Sequence, residues 1–132
     1  MTHASVLWVD GDTQHAGAAR RLMATRFAGW HVVNSPTPET AMAPLASQAW
    51  DAVVLCLKPS DQDVPGLLEL CAGRPVLMCM EAAQEALAAR AFRCGLGDYV
   101  LREADDVSHL DELLTRLEAL MQKAQAPDHP VR

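Results

Sequence analysis

Residues 5–13 read Ser-Val-Leu-Trp-Val-Asp-Gly-Asp-Thr. The run from Ser5 to Val9 is continuously apolar, with no alternation of polar positions, and it stops abruptly at Asp10-Gly11-Asp12. A short apolar run closed by turn residues reads as a strand buried on both faces, followed by a loop. The residues that follow change period. Ala16, Ala19, Met23 and Phe27 mark one helical face between Gln14 and Ala28, with Leu22 beside it and Arg20, Arg21 and Arg26 outside. Gly29 is placed to stop that helix.

The same alternation repeats along the chain. Trp30–Val33 is a second short strand. Thr37 offers an N-cap and Pro38 a first helical residue for a helix to Gln48. Pro44 lies beyond the tolerated first turn, which predicts a kink or a break. Asp51–Leu57 (DAVVLCL) is a third strand, and Lys58–Val64 a polar loop. Pro65-Gly66 opens a short helix to Cys71, ended by Gly73. Pro75–Met80 (PVLMCM) is a fourth strand, and Ala82–Cys94 an alanine-rich helix with Leu87, Ala91 and Cys94 on one side, closed by Gly95. Tyr99–Leu101 is a fifth strand. Asp105 or Asp106 can cap a last helix reaching Gln125, with Val107, Leu110, Leu113, Leu114, Leu117, Leu120 and Met121 as its apolar set.

Five apolar strands alternating with five helices predict an α/β sheet covered on both faces. Sites in such sheets lie at the carboxyl ends of the strands. The residues to watch are therefore those just past each strand.

Totals exclude several functions. The 132 residues are 50% hydrophobic and carry 11 Lys+Arg against 17 Asp+Glu, a net charge of −6. Only Lys58 and Lys123 are lysines, and no basic cluster exceeds Arg20-Arg21. Nucleic-acid binding needs a dense cationic face, so none is expected. No run reaches the roughly 18–20 apolar residues of a membrane span, and no signal peptide is apparent, so a cytoplasmic protein is expected. Cys56, Cys71, Cys79 and Cys94 form no CxxC pair, which fits neither a zinc motif nor a redox motif. They read as small core residues without disulfides. His3, His15, His31, His109 and His129 are scattered, with no metal-ligand spacing between them, and are expected to be solvated or to cap elements.

Taken together, VLWVDGDT, DAVVLCL, PVLMCM and CGLGDYVLRE resemble, in order and spacing, the receiver domain of bacterial two-component signalling. The resemblance covers residue 5 to about residue 123. It implies a flavodoxin-like doubly wound five-stranded parallel sheet in the order 2-1-3-4-5, with residues 1–125 as the domain and 126–132 as a disordered tail or the start of a linker. It also implies a set of chemical parts. An aspartate ending the third strand accepts a phosphoryl group. Acidic residues after the first strand hold magnesium. A Ser or Thr hydroxyl after the fourth strand and a lysine after the fifth bind the phosphoryl oxygens.

Here those parts are altered. Cys56 stands at the acceptor position, and the acidic pair is Asp10-Gly11, with Asp12 one residue later. Met80 stands at the hydroxyl position, and Arg102 followed by Glu103 replaces lysine followed by proline. Tyr99 keeps the switch-like aromatic. The interval from Cys56 to Met80 is short, which implies a trimmed third helix. Asp10 is the one weak candidate for a metal, so no cofactor is expected, magnesium included. Asp10 is expected instead to pair with Arg102, whose fork suits a carboxylate.

The resulting expectation is an atypical receiver that works by protein–protein contact without phosphorylation. Its partner would be a signalling protein, a fused output domain, or a second copy docked through the fourth helix, fifth strand and last helix. Two alternatives stay open: a thiol or ligand sensor centred on Cys56, and phosphorylation elsewhere, at Asp61 or Asp63. No nucleophile–base pair or phosphate-cradling glycine loop is present, so enzymatic turnover is not expected.

Overall fold

In the computed structural model the described residues are 3–57, 64–71, 73–103 and 107–125. Strands β1 (Ala4–Asp10), β2 (Trp30–Ser35), β3 (Ala52–Cys56), β4 (Val76–Glu81) and β5 (Asp98–Arg102) alternate with five helices. These are α1 (Thr13–Arg26), α2 (Pro38–Ser47), α3 (Val64–Leu70), α4 (Ala86–Arg93) and α5 (His109–Gln125). All strand pairs are parallel, in the order β2-β1-β3-β4-β5. This is the doubly wound topology expected from the strand pattern.

Strand side chains alternate between faces, and the core accordingly has two halves. Leu7, Val9, Val53, Leu55, Met78 and Met80 pack with Ala41, Leu45, Leu67, Leu68, Ala88 and Ala91, from α2, α3 and α4. Val6, Trp8, Val54, Cys56, Leu77 and Cys79 pack with Ala19, Met23, Leu113, Leu114 and Leu117, from α1 and α5. The alternation also carries Asp10 to the α1/α5 side, two residues after Trp8.

Several local expectations are revised. α2 runs through Pro44 unbroken. It ends one turn later, so little helix depends on the bond that proline cannot donate. The Pro44 carbonyl also accepts from Gln48 N (3.1 Å) and Trp50 Nε1 (2.9 Å), which ties the helix end to the core. The segment Ala82–Cys94 is not one helix. A single 3₁₀ turn, Ala82–Gln84, precedes α4, set by Gln84 Oε1 accepting from Glu81 N at 3.1 Å. Cys94 follows the last turn of α4 and is exposed, so it is not a core residue like the other three cysteines. β2 extends two residues further than its apolar run. α3 is short, as the trimmed interval implied, and Gly73 and Gly95 adopt positive φ (81° and 109°) after α3 and α4. α5 begins at His109, so Val107 precedes the helix and is exposed instead of joining its buried set; the expected caps Asp105 and Asp106, the loop 58–63 and the tail 126–132 lie outside the described residues.

Candidate functional site

Three side chains meet at the carboxyl ends of the central strands because the register puts them there. Asp10 is paired with Cys56, and Cys56 with Cys79, across β1, β3 and β4. All three face α1 and α5. The first residues of those two helices close the site from above.

Asp10 is buried (3% exposed) yet fully engaged. Its carboxylate accepts from Trp8 Nε1 (2.9 Å), from the Asp12 backbone N–H (3.0 Å) and from His15 Nδ1 (2.6 Å). Its carbonyl accepts from the Asn34 side-chain amide at 3.2 Å. A buried carboxylate is tolerable only with such partners. The expected Asp10–Arg102 pair does not form. Arg102 instead reaches Asp12, Nη2 to Oδ2 at 3.4 Å.

Asp12 has a different task. Its Oδ1 accepts from the N–H groups of Gln14 and His15, both at 3.1 Å, making it the N-cap of α1. The His15 N–H bond holds its carboxyl below the usual range; burial opposes this and Arg102 reinforces it. Asp12 is thus shared between the α1 N-terminus and Arg102.

His15 was expected at the solvated edge and is instead 1% exposed. Burial alone would lower its pKa, but the Asp10 carboxylate and the Cys79 sulfur outweigh burial and raise it to about 9. Its Nε2 lies 2.7 Å from Nε2 of His109, the first residue of α5, with the rings stacked at 4.9 Å and 11°. His109 Nδ1 is buried without a hydrogen-bond partner. His3 and His31 are exposed, as expected; His129 lies outside the described residues.

The two sulfurs differ. Burial pushes the Cys56 thiol well up, and the neighbouring Cys79 and Asp10 add to the rise. Cys79 moves the other way: hydrogen bonding from Cys56, and from His109 and His15, draws it down against burial.

Solved structures share this architecture. The Francisella response regulator 1452 receiver domain superposes with a TM-score of 0.74 at 18% identity, covering 92% of this chain and 99% of that one. A two-component response regulator from Clostridium difficile gives 0.76 at 17%, covering 93% and 99%. The fold is that of a receiver domain. Full-length FixJ from B. japonicum gives 0.77 at 18%, over 96% of this chain and 61% of that one. No protein-family model matches the sequence, and no curated protein matches it.

Within the receiver fold, the expected site residues divide. Asp10, Asp12, Cys56 and Arg102 lie around the ends of β1, β3 and β5, and Gly11 lies in the β1–α1 turn. Met80 packs in the core half facing α2–α4, on the opposite side of the sheet from Cys56. The β4 residue that joins the site is Cys79. Tyr99 is half-buried against that opposite half, its hydroxyl donating to Glu85 at 2.7 Å and its ring meeting Phe92 edge-on at 6.0 Å.

Residue patterning contained a signal for the histidines. His15 precedes Ala19 and Met23 by four and eight residues, and His109 precedes Leu113 and Leu117 likewise, so each lies on its helix's buried stripe. No helix among the described residues is long and apolar enough to cross a membrane.

Proposed function

We propose that this domain is a receiver-type signalling module that acts by protein–protein contact, with no phosphoryl transfer to the end of β3. The observation that carries the proposal is the state of Asp10. In the family this residue resembles a magnesium ligand; here three donors already occupy its carboxylate. Magnesium is a hard ion that takes oxygen ligands. Gly11 has no side chain, Asp12 is divided between the α1 cap and Arg102, and Cys56 presents sulfur. This donor set does not fit magnesium.

A thiol sensor centred on Cys56 has less support, because that sulfur is buried and its pKa is raised. The acceptor alternatives Asp61 and Asp63 lie outside the described residues.

The contact surface is read from exposed apolar groups. Phe92 on α4, Leu101 on the edge strand β5 and Val107 before α5 are 44%, 37% and 47% exposed. They lie on the α4–β5–α5 side, where the resemblance puts receiver docking. The partner is a signalling protein, a fused output domain or a second copy. The match to full-length FixJ, over part of that longer chain, is consistent with a fused arrangement.

Intact-mass measurement after incubation with acetyl phosphate and magnesium tests the central claim. The expected result is an unchanged mass; a stoichiometric acyl-phosphate adduct overturns it. Sedimentation of the wild type and of Leu101→Asp tests the second-copy version. That version requires a dimer which the substitution dissociates, and a strictly monomeric wild type removes it.

A further inference from the structure

The cluster beside Asp10 has a chemistry that signalling by contact does not use. His15 from α1, Cys79 from β4 and His109 from α5 each bring one metal-ligating atom, and the three atoms lie within 4.8 Å of one another. Two imidazoles and a thiol are borderline-to-soft donors, suited to zinc and poorly suited to magnesium. The three residues are far apart in sequence, His15 and His109 by 94 positions, which is why no spacing motif marks them.

We propose that His15 Nε2, His109 Nε2 and Cys79 Sγ form a binding site for a zinc-type divalent transition metal.

Three features support this. First, the surroundings orient His15 for ligation. Metal-binding histidines usually donate their other ring N–H to a carboxylate, which fixes tautomer and ring plane. His15 Nδ1 meets Asp10 Oδ2 at 2.6 Å, and Asp10 is itself held by Trp8 Nε1 and the Asp12 N–H. Nε2 is left aimed at His109.

Second, the metal-free arrangement sets two potential ligand atoms against each other. The two Nε2 atoms face each other at 2.7 Å, so one proton must lie between them. A metal takes the lone pairs of both Nε2 atoms and of the Cys79 sulfur, and the protons held on those three atoms leave to solvent.

Third, the geometry is within reach. With Zn–N of about 2.05 Å and Zn–S of about 2.3 Å, tetrahedral ligand atoms stand roughly 3.3–3.6 Å apart. The His15–His109 separation has to open by roughly half an ångström. His109 opens α5 and is only part-buried, so that opening needs no movement of the sheet. The fourth position falls to water or to Cys56, whose thiol lies against Cys79.

The site is independent of whether the domain is phosphorylated. Its occupancy would tie the start of α5 to β4.

The experiment uses the full chain carrying Cys94→Ser, which removes the exposed thiol, stripped with a chelator and then titrated with Zn²⁺ or Co²⁺ alone. One equivalent of Co²⁺ is expected to give intense tetrahedral d–d bands and a thiolate charge-transfer band, both displaced by Zn²⁺. His109→Ala and Cys79→Ser should each abolish the stoichiometric spectrum, with folding checked by circular dichroism. Asp10→Asn should weaken binding by about 10- to 100-fold, as loss of an outer-shell partner does. His31→Ala should leave binding unchanged. The proposal is overturned by absence of stoichiometric binding, by an octahedral spectrum without the thiolate band, or by folded His109→Ala that still binds. Should Cys79→Ser fail to fold, the His109 variant decides alone.

Discussion

Replacing Asp10 with alanine tests whether this residue is a structural anchor or a remnant of a cation pocket, because the two roles predict opposite signs. In a pocket of several carboxylates without its cation, like charges repel, so deleting one relieves strain and stabilises the fold. Here the carboxylate is surrounded by donors. Asp10→Ala orphans Trp8 Nε1–H and His15 Nδ1–H, which are both buried, and loosens the Asp12 N–H. Leaving one buried donor unmet costs about 1–3 kcal/mol. Removing one member of a buried ion pair costs about 3–5 kcal/mol. The two figures overlap on the same contacts, so the expected loss is about 4 kcal/mol and not their sum. With an m-value of about 2 kcal/mol/M, the urea midpoint falls by about 2 M. The assay is equilibrium unfolding followed by tryptophan fluorescence, with chelator present so that metal linkage does not enter. Adding His15→Leu to Asp10→Ala should recover part of the loss, because the imidazole no longer seeks a partner. An unchanged or raised midpoint in the single variant would refute the anchor argument.

Three further outcomes follow from the packing and the charges. Gly97→Ala places a Cβ 3.0 and 3.1 Å from the Leu120 methyl carbons and 3.1 Å from the Val76 carbonyl oxygen, so overpacking of about 1–3 kcal/mol should appear as a lower thermal midpoint. Tyr99 is the only tyrosine, and the bond its hydroxyl donates to Glu85 raises its pKa. That bond needs the neutral phenol, so its stabilisation is present below the unfolded value near 10 and is lost as pH rises through the folded one; absorbance titration should show the Glu85→Ala variant ionising at lower pH. Mild alkylation of the native protein should modify Cys94 first, since Cys71 is buried and raised to about 11 by burial that Arg74 only partly offsets; equal rates would contradict the packing.

The architecture was legible in the sequence because it depends on local patterns. Short continuous apolar runs bounded by turn residues, such as Val53–Cys56, read as strands buried on both faces, and the helical stripe Ala19–Met23 needs a core beneath it. The departures from the receiver motif at Gly11, Cys56 and Arg102 are likewise visible position by position. Local rules failed where a neighbour overrode them. Pro44 sits in an unbroken helix because the helix ends one turn later and little of it depends on the missing donor, and Gln84 divides a segment whose alanines all favour one helix.

The site itself needed the tertiary structure. A parallel register sets Cys56 against Cys79, which residue types alone do not reveal, and alternation along β4 turns Met80 away from the site while admitting Cys79. Arg102 and Asp10 are of opposite charge, but only the three-dimensional arrangement shows that Asp10 is already satisfied and that Arg102 goes to Asp12. The sequence by itself determined the doubly wound sheet and which receiver side chains are missing, since burial pattern and residue identity are properties of single segments. The tertiary structure alone decided what replaces them, because His15 and His109 meet only when α1 and α5 pack side by side on one face of the sheet.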